Sequence, residues 1–181
     1  ESIRLVVATA PLHTDTCAMI DVVQDVLARV PGQPEQIIVL LQPTQPLRTP
    51  AHILSAIKLL DYTKADSVVS VVELPRTHSP DLAYAIRPNG QLERWLEWYG
   101  WLDQWLAHVP PMPTRRQEAK PTYIRDGTMY AFWRKTLASG SLYGQVSRAL
   151  VIPPEETCPL DTLFDWAEAE RRVRERERTH A

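Results

Sequence analysis

The sequence predicts an α/β fold, and three observations predict it. An apolar run follows Gln36 and ends at Leu41. A second spans Ser67 to Val72. Between them, Thr49-Pro50 opens a segment carrying Ile53, Ile57 and Leu60 at helical spacing. Strand, helix, strand at this length is a right-handed crossover between parallel strands. An apolar run without polar alternation is what a strand covered on both faces requires.

The remaining elements follow in chain order. Ile3 to Ala8 is short and apolar, and reads as a strand or extended lead-in. Thr14-Asp15-Thr16 offers helix caps. Ile20, Val23, Val26, Leu27 and Val30 then recur at helical spacing until Pro31-Gly32 stops the helix. Thr49 followed by Pro50 is a strong start signal, a hydroxyl cap before proline at the first helical position. From Pro75 to Gln117 the chain changes character. Four of its six tryptophans fall between Trp95 and Trp105. Leu92, Trp95, Leu96, Trp98, Tyr99, Leu102, Trp105, Leu106 and Val109 predict one amphipathic, aromatic helix ending at Pro110. Aromatic faces are enriched at interfaces, so 75–117 reads as an excursion that packs on a second subunit. The competing reading has these aromatics covering the domain's own core. Thr122 to Trp133 reads as an extended pair around an Asp126-Gly127 turn. Thr162-Leu163-Phe164-Asp165 resembles a capping box opening a last helix, with Leu163, Trp166, Ala169 and Val173 facing inward. Its charged end, Arg171 to Arg178, reads as a solvated face.

Composition narrows the function. The 181 residues carry a net charge of -2, with 44% hydrophobic and 23% charged residues. No basic stretch interleaves with aromatics, which argues against a nucleic-acid partner. No apolar stretch approaches the length of a spanning helix, and a cytoplasmic location is the default expectation. Cys17 and Cys158 stand too far apart to form a metal-ligand motif, and the five histidines are scattered. No nucleophile triad and no glycine-rich phosphate loop is present.

The loop after the first apolar run, Gln42-Pro-Thr-Gln-Pro-Leu-Arg48, is unusual. Two prolines and several polar groups follow directly on a strand. In open parallel sheets, ligands bind beyond the C-terminal ends of the strands, where Gln42 and Thr44 stand. The alternative is a rigid loop that only redirects the chain into the next helix.

Leu40-Leu-Gln-Pro-Thr-Gln-Pro-Leu-Arg48, then Ala65-Asp-Ser-Val-Val-Ser-Val71, Arg116-Gln117, Asp126-Gly-Thr-Met-Tyr130, Leu160-Asp-Thr162 and Asp165-Trp-Ala-Glu-Ala169 resemble the acylneuraminate cytidylyltransferases. These are the CMP-sialic acid synthetases and their relatives. The blocks occur in the family's order over nearly the whole chain. The resemblance implies a Rossmann-like, mostly parallel sheet, with 1–74 and 118–181 forming the catalytic domain and 75–117 a dimerisation excursion. It implies transfer of CMP from CTP to a nine-carbon α-keto acid sugar, with release of pyrophosphate, Mg²⁺ as cofactor and a homodimer. Gln42 and Thr44 would hydrogen-bond the sugar, Arg116 would pair with its carboxylate, and Tyr130 would line its pocket. Asp161 would hold Mg²⁺.

Three departures accompany the resemblance. The family's Arg- and Lys-bearing nucleotide loop has no counterpart here, so it and the N-terminal part of the fold are expected upstream of Glu1. Pro159 replaces the first aspartate of an Asp-Ile-Asp pattern. Gln45 stands where serine is common, which leaves substrate preference open; an alternative reading within the enzyme class has legionaminic, pseudaminic or 3-deoxy-octulosonic acid as acceptor. A chain in this state also fits a non-catalytic module that keeps the sugar pocket.

Overall fold

The computed structural model describes residue 14 and residues 17–98 and 113–180. The Ile3–Ala8 segment, Asp15, Thr16 and the aromatic positions 99–109 lie outside the described residues, and so do the expectations placed on them. The described chain forms two compact units. One runs through residue 70 and resumes at 126, and the other is Val71–Arg125.

The first unit is a sheet with helices on both faces. Helix α1 is Met19–Arg29. Its N-cap is Ala18, with no side-chain cap bond, so the helix starts beyond the Thr14-Asp15-Thr16 caps that the sequence offers. Strand β1 is Ile37–Leu40, and helix α2 is Pro50–Thr63. The N-cap of α2 is Thr49, as its sequence predicts. The Thr49 hydroxyl accepts from the His52 amide, while His52 Nδ1 accepts the Thr49 amide. Strand β2 is Ser67–Glu73, β5 is Tyr123–Trp133, β6 is Ser147–Val151 and helix α4 is Leu163–His180.

Among the described residues the sheet order is β1-β5-β2-β6. Strand β5 is antiparallel to β1, with Leu40 opposite Tyr130 and Ile37 opposite Trp133. Strands β2 and β6 start side by side, where the Asp66 and Ser67 amides reach the Val146 carbonyl. The α/β class therefore holds, with one antiparallel strand inserted between the strands of the predicted crossover.

Both faces are packed. Ala56 and Leu60 of α2 meet Val68, Met129 and Ala131, with Ile37, Val39 and Ile53 around them. Val23 of α1 meets Phe132, Leu137 and Leu142, flanked by Ile38, Leu40 and Tyr130. Successive β1 side chains enter opposite clusters, which is why the strand shows no polar alternation.

Three expectations change here. The segment around Asp126-Gly127 is one strand, not a hairpin. Gly127 takes φ +75, but the Asp126 carboxylate accepts from the amide and hydroxyl of Thr128 and holds the chain extended. The positive φ becomes a local kink rather than a reversal. On α4, Ala169 is buried and Val173 packs inward, but Leu163 is 90% and Trp166 57% exposed. And Arg172 and Arg176 are not part of a solvated face: both are partly buried and bond main-chain carbonyls.

The second unit holds a short hairpin, β3 (Tyr84–Ile86) against β4 (Leu92–Arg94), followed by a helical turn α3 (Trp95–Trp98). Leu92 was expected to begin the aromatic helix but lies in β4. The reason is the Pro88-Asn89-Gly90 turn. Gly90 takes φ +82, its amide bonds the Arg87 carbonyl, and an Arg87–Glu93 ion pair with contacts of 2.7 and 2.9 Å closes the hairpin.

Candidate functional site

The loop from Gln42 to Arg48 leaves β1 at its C-terminal end and enters α2 through the Thr49 cap. Two prolines remove two amide donors, so the loop is tied down through its carbonyls and longer side chains. The Arg48 guanidinium donates to the Thr128 carbonyl at 2.6 Å and also to the Gln42 carbonyl. The Leu160 amide donates to the Thr44 carbonyl at 3.0 Å. Arg176 donates to the Leu47 carbonyl at 2.7 Å. Leu47 itself is buried with Cys158 and Ala169.

Gln45 lies beneath the loop, not on its surface. It is 3% exposed, its amide nitrogen donates to the Asp126 carbonyl, and its amide oxygen accepts from the Thr157 hydroxyl. A serine at this position has too short a side chain to make both bonds. This departure from the family pattern is therefore built into the loop's foundation. Burial pushes the pKa of Arg48 down, and the Asp126 carboxylate opposes that shift.

What the clamped loop leaves unspent is specific. The Gln42 amide and the Thr44 hydroxyl make no side-chain hydrogen bond among the described residues. The Gln42 side chain rests over Gly127, where any Cβ would collide with it. Asp161 follows directly on Leu160, the residue that bonds Thr44. Its carboxylate is exposed and makes no hydrogen bond among the described residues, although its amide donates to Asp165. The structure thus brings Gln42, Thr44 and Asp161 to one edge of the sheet. Tyr130 is half-buried on β5, opposite Leu40, with its ring edge-on to Tyr143 at 6.3 Å. Arg116 belongs to the other unit. It opens the 3₁₀ turn Arg116–Glu118 and is exposed, while Glu118 reaches back to Thr114 and Arg115.

The capping box at the start of α4 forms as its sequence predicts. The Asp165 carboxylate accepts from the Thr162 amide at 2.8 Å and its hydroxyl at 2.7 Å, and the Thr162 hydroxyl accepts from the Asp165 amide. The Thr162 hydroxyl, with the two neighbouring amides, holds the Asp165 pKa below the ordinary carboxylate range. This box orients the 160–162 segment against the loop. A second tie runs from α2, where His52 Nε2 meets Glu156 at 2.6 Å. Sequence reasoning missed Arg172, Arg176, His52 and Glu156 as supports, because each acts on a main chain or loop remote in sequence.

Among the described residues, no three metal-ligating side chains cluster. Nor is any helix long and apolar enough to cross a membrane. Cys17 and Cys158 are unpaired, and burial raises the Cys158 pKa.

No family model matches the chain. A solved structure does: CMP:2-keto-3-deoxy-manno-octonic acid synthetase, complexed with CTP. The match covers 90% of this chain and 70% of that one, with a TM-score of 0.53 and 16% sequence identity. This chain shares that synthetase's fold. The likeness to the synthetase confirms the Rossmann-like α/β architecture; at this identity it speaks to fold alone.

Proposed function

We propose that this chain is part of a cytidylyltransferase that transfers CMP from CTP to an α-keto acid sugar. The observation that carries the reading is the Gln42–Arg48 loop. Its carbonyls are clamped from three directions, while the Gln42 amide and Thr44 hydroxyl make no side-chain hydrogen bond among the described residues, and Asp161 follows directly on the Leu160 amide that bonds the loop. Rigid support under unspent polar groups is how a site for a polyhydroxylated ligand is preorganised. The motif resemblance and the shared fold of a synthetase crystallised with CTP favour the same reaction class.

In this reading, Gln42 and Thr44 hydrogen-bond the sugar and Tyr130 lines its pocket. Arg116 forms a bidentate pair with the sugar carboxylate. The anomeric hydroxyl attacks the α-phosphorus of CTP, and pyrophosphate leaves. Asp161 suits Mg²⁺, which binds through one or two carboxylates together with phosphate oxygens. When bound, the ion neutralises charge developing on the phosphates. The protein's own contribution is to place two substrates in line. The acceptor is a sialic-acid-like nine-carbon keto acid or its eight-carbon relative. A cytoplasmic homodimer, joined through the aromatic segment, completes the proposal.

The test is pyrophosphate release from CTP, with Mg²⁺ and a panel of nine- and eight-carbon keto acid sugars. It is run on this chain and on any longer natural product that contains it. Release that depends on one of these sugars supports the reading. Sugar binding without release on either protein replaces it with a non-catalytic sugar-binding module. Neither binding nor release on either protein removes both.

A further inference from the structure

The sequence reads the end of α4 as a charged, solvated face, yet two of its arginines bond main-chain carbonyls, one in the loop and one in the segment beneath it. Arg176 Nη1 donates to the Leu47 carbonyl, 129 residues away, at 2.7 Å. One turn earlier, Arg172 Nη1 donates to the Thr157 carbonyl at 3.0 Å and to the Pro154 carbonyl at 3.2 Å. The Thr157 hydroxyl in turn donates to Gln45. One strut, Arg176, therefore reaches the loop directly, and Arg172 reaches it only through Thr157 and Gln45.

We propose that Arg176 is a positioning residue for the acceptor sugar. It acts through the Leu47 carbonyl on the placement of Gln42 and Thr44, and the inference rests on the role proposed for those two side chains. The need for a remote strut follows from the loop's composition. Pro43 and Pro46 carry no amide hydrogen, so the loop is held through its carbonyls and the buried Gln45 side chain. Three carbonyls receive a donor: Gln42 from Arg48, Thr44 from Leu160 and Leu47 from Arg176. The first two donors are local to the loop or to the backbone that approaches it. Only the third comes from a helix side chain. The Leu47 side chain packs against Cys158 and Ala169, but its neighbour Pro46, with Leu160, Trp166 and Val173, lines an open pocket of 330 Å³, so packing holds only one side of this part of the loop. A guanidinium is suited to this task because it stays charged and holds its donors in a rigid plane.

Removing the strut frees the Leu47 carbonyl and widens the range of positions the loop visits. The sugar then loses affinity, because Gln42 and Thr44 are no longer preset. CTP does not contact this loop in the proposed scheme, so its affinity stays. The experiment compares the native chain with Arg176→Ala and Arg176→Lys. The expected result is a roughly tenfold weaker Kd for the keto acid sugar in Arg176→Ala, unchanged CTP binding, and partial recovery in Arg176→Lys. Amide hydrogen exchange at Leu160, whose amide donates to the Thr44 carbonyl, is read in parallel and should quicken in Arg176→Ala. Unchanged exchange at this amide overturns the inference, whatever the protein binds. Quickened exchange with unchanged sugar affinity overturns it too. If neither the native chain nor a longer product containing it binds a keto acid sugar, the proposed function fails while the exchange arm still decides whether Arg176 positions the loop. Should Arg176→Ala not fold, Arg176→Lys and Arg176→Gln carry the same comparison.

Discussion

The side chain of Gln42 lies over the α-carbon of Gly127, and no Cβ fits between them. Gly127 also takes φ +75, a conformation that costs an L-residue about 1–2 kcal/mol. Gly127→Ala is therefore expected to destabilise the protein by at least that amount. It should also push Gln42 off its rest. Urea unfolding measures the first effect, and sugar titration of the folded variant measures the second. A variant as stable as the native chain would mean that β5 relaxes around the new methyl group.

Gln45 carries the underside of the loop. Gln45→Ala leaves the Asp126 carbonyl and the Thr157 hydroxyl without their partner in a buried site. Each unsatisfied group costs about 1–3 kcal/mol. Gln45→Ser, which introduces the residue common in the cytidylyltransferases the sequence resembles, is expected to be destabilised on the same scale, because a hydroxyl does not span both partners. The ranking of keto acid sugars should not change, since Gln45 is buried. A switch in preferred sugar would place Gln45 in the specificity pocket after all.

Glu168 couples α4 to pH. Hydrogen bonds from Arg171 and Arg172 hold its pKa down at about 2, against an ordinary 4.5. A carboxylate with a depressed folded-state pKa contributes stability above its unfolded value. That stability is lost as pH falls through the folded value. Order in α4 should decline between about pH 4.5 and about pH 2. Glu168→Gln should flatten this part of the profile. Backbone NMR shifts of residues 163–172 across that range are the measurement, and an identical profile in the variant would assign the transition to another carboxylate.

In the proposed reaction Arg116 and Asp161 serve different substrates. Arg116→Ala should raise the sugar KM far more than the CTP KM. Asp161→Asn should abolish Mg²⁺-dependent turnover while leaving the sugar Kd within about twofold of native. Equal effects of Arg116→Ala on both KM values would remove it from the sugar site. Sugar binding lost in Asp161→Asn would move that carboxylate into the acceptor pocket.

Much of the fold is legible in the residues, because the signals are local. The Thr49 cap, the proline after it, the α2 apolar face and the Thr162–Asp165 box each need only neighbours a few positions away. The β1 run announces two packed faces, and Ile37 through Leu40 do alternate between two clusters. The errors have a physical pattern as well. An Asp-Gly pair at a hairpin turn looks the same as one kinking a single strand. Asp126 selects the kink by capturing Thr128 with its own carboxylate. Leu163 and Trp166 have the spacing of a buried stripe, but arginine bonds to carbonyls dock the helix on a neighbouring face.

The candidate site divides in the same way. Gln42, Thr44 and Asp161 are visible in the sequence because their blocks carry a family's pattern, and the fold gathers them at one edge of the sheet. Their supports are not visible. Gln45 looks like a surface substitution until Asp126 and Thr157 close around it, and Arg176 looks like one charge among many until it meets the Leu47 carbonyl. A residue's chemistry can be read from its type and near neighbours. Whether a long polar side chain faces water or a distant carbonyl is decided only when the chain closes on itself.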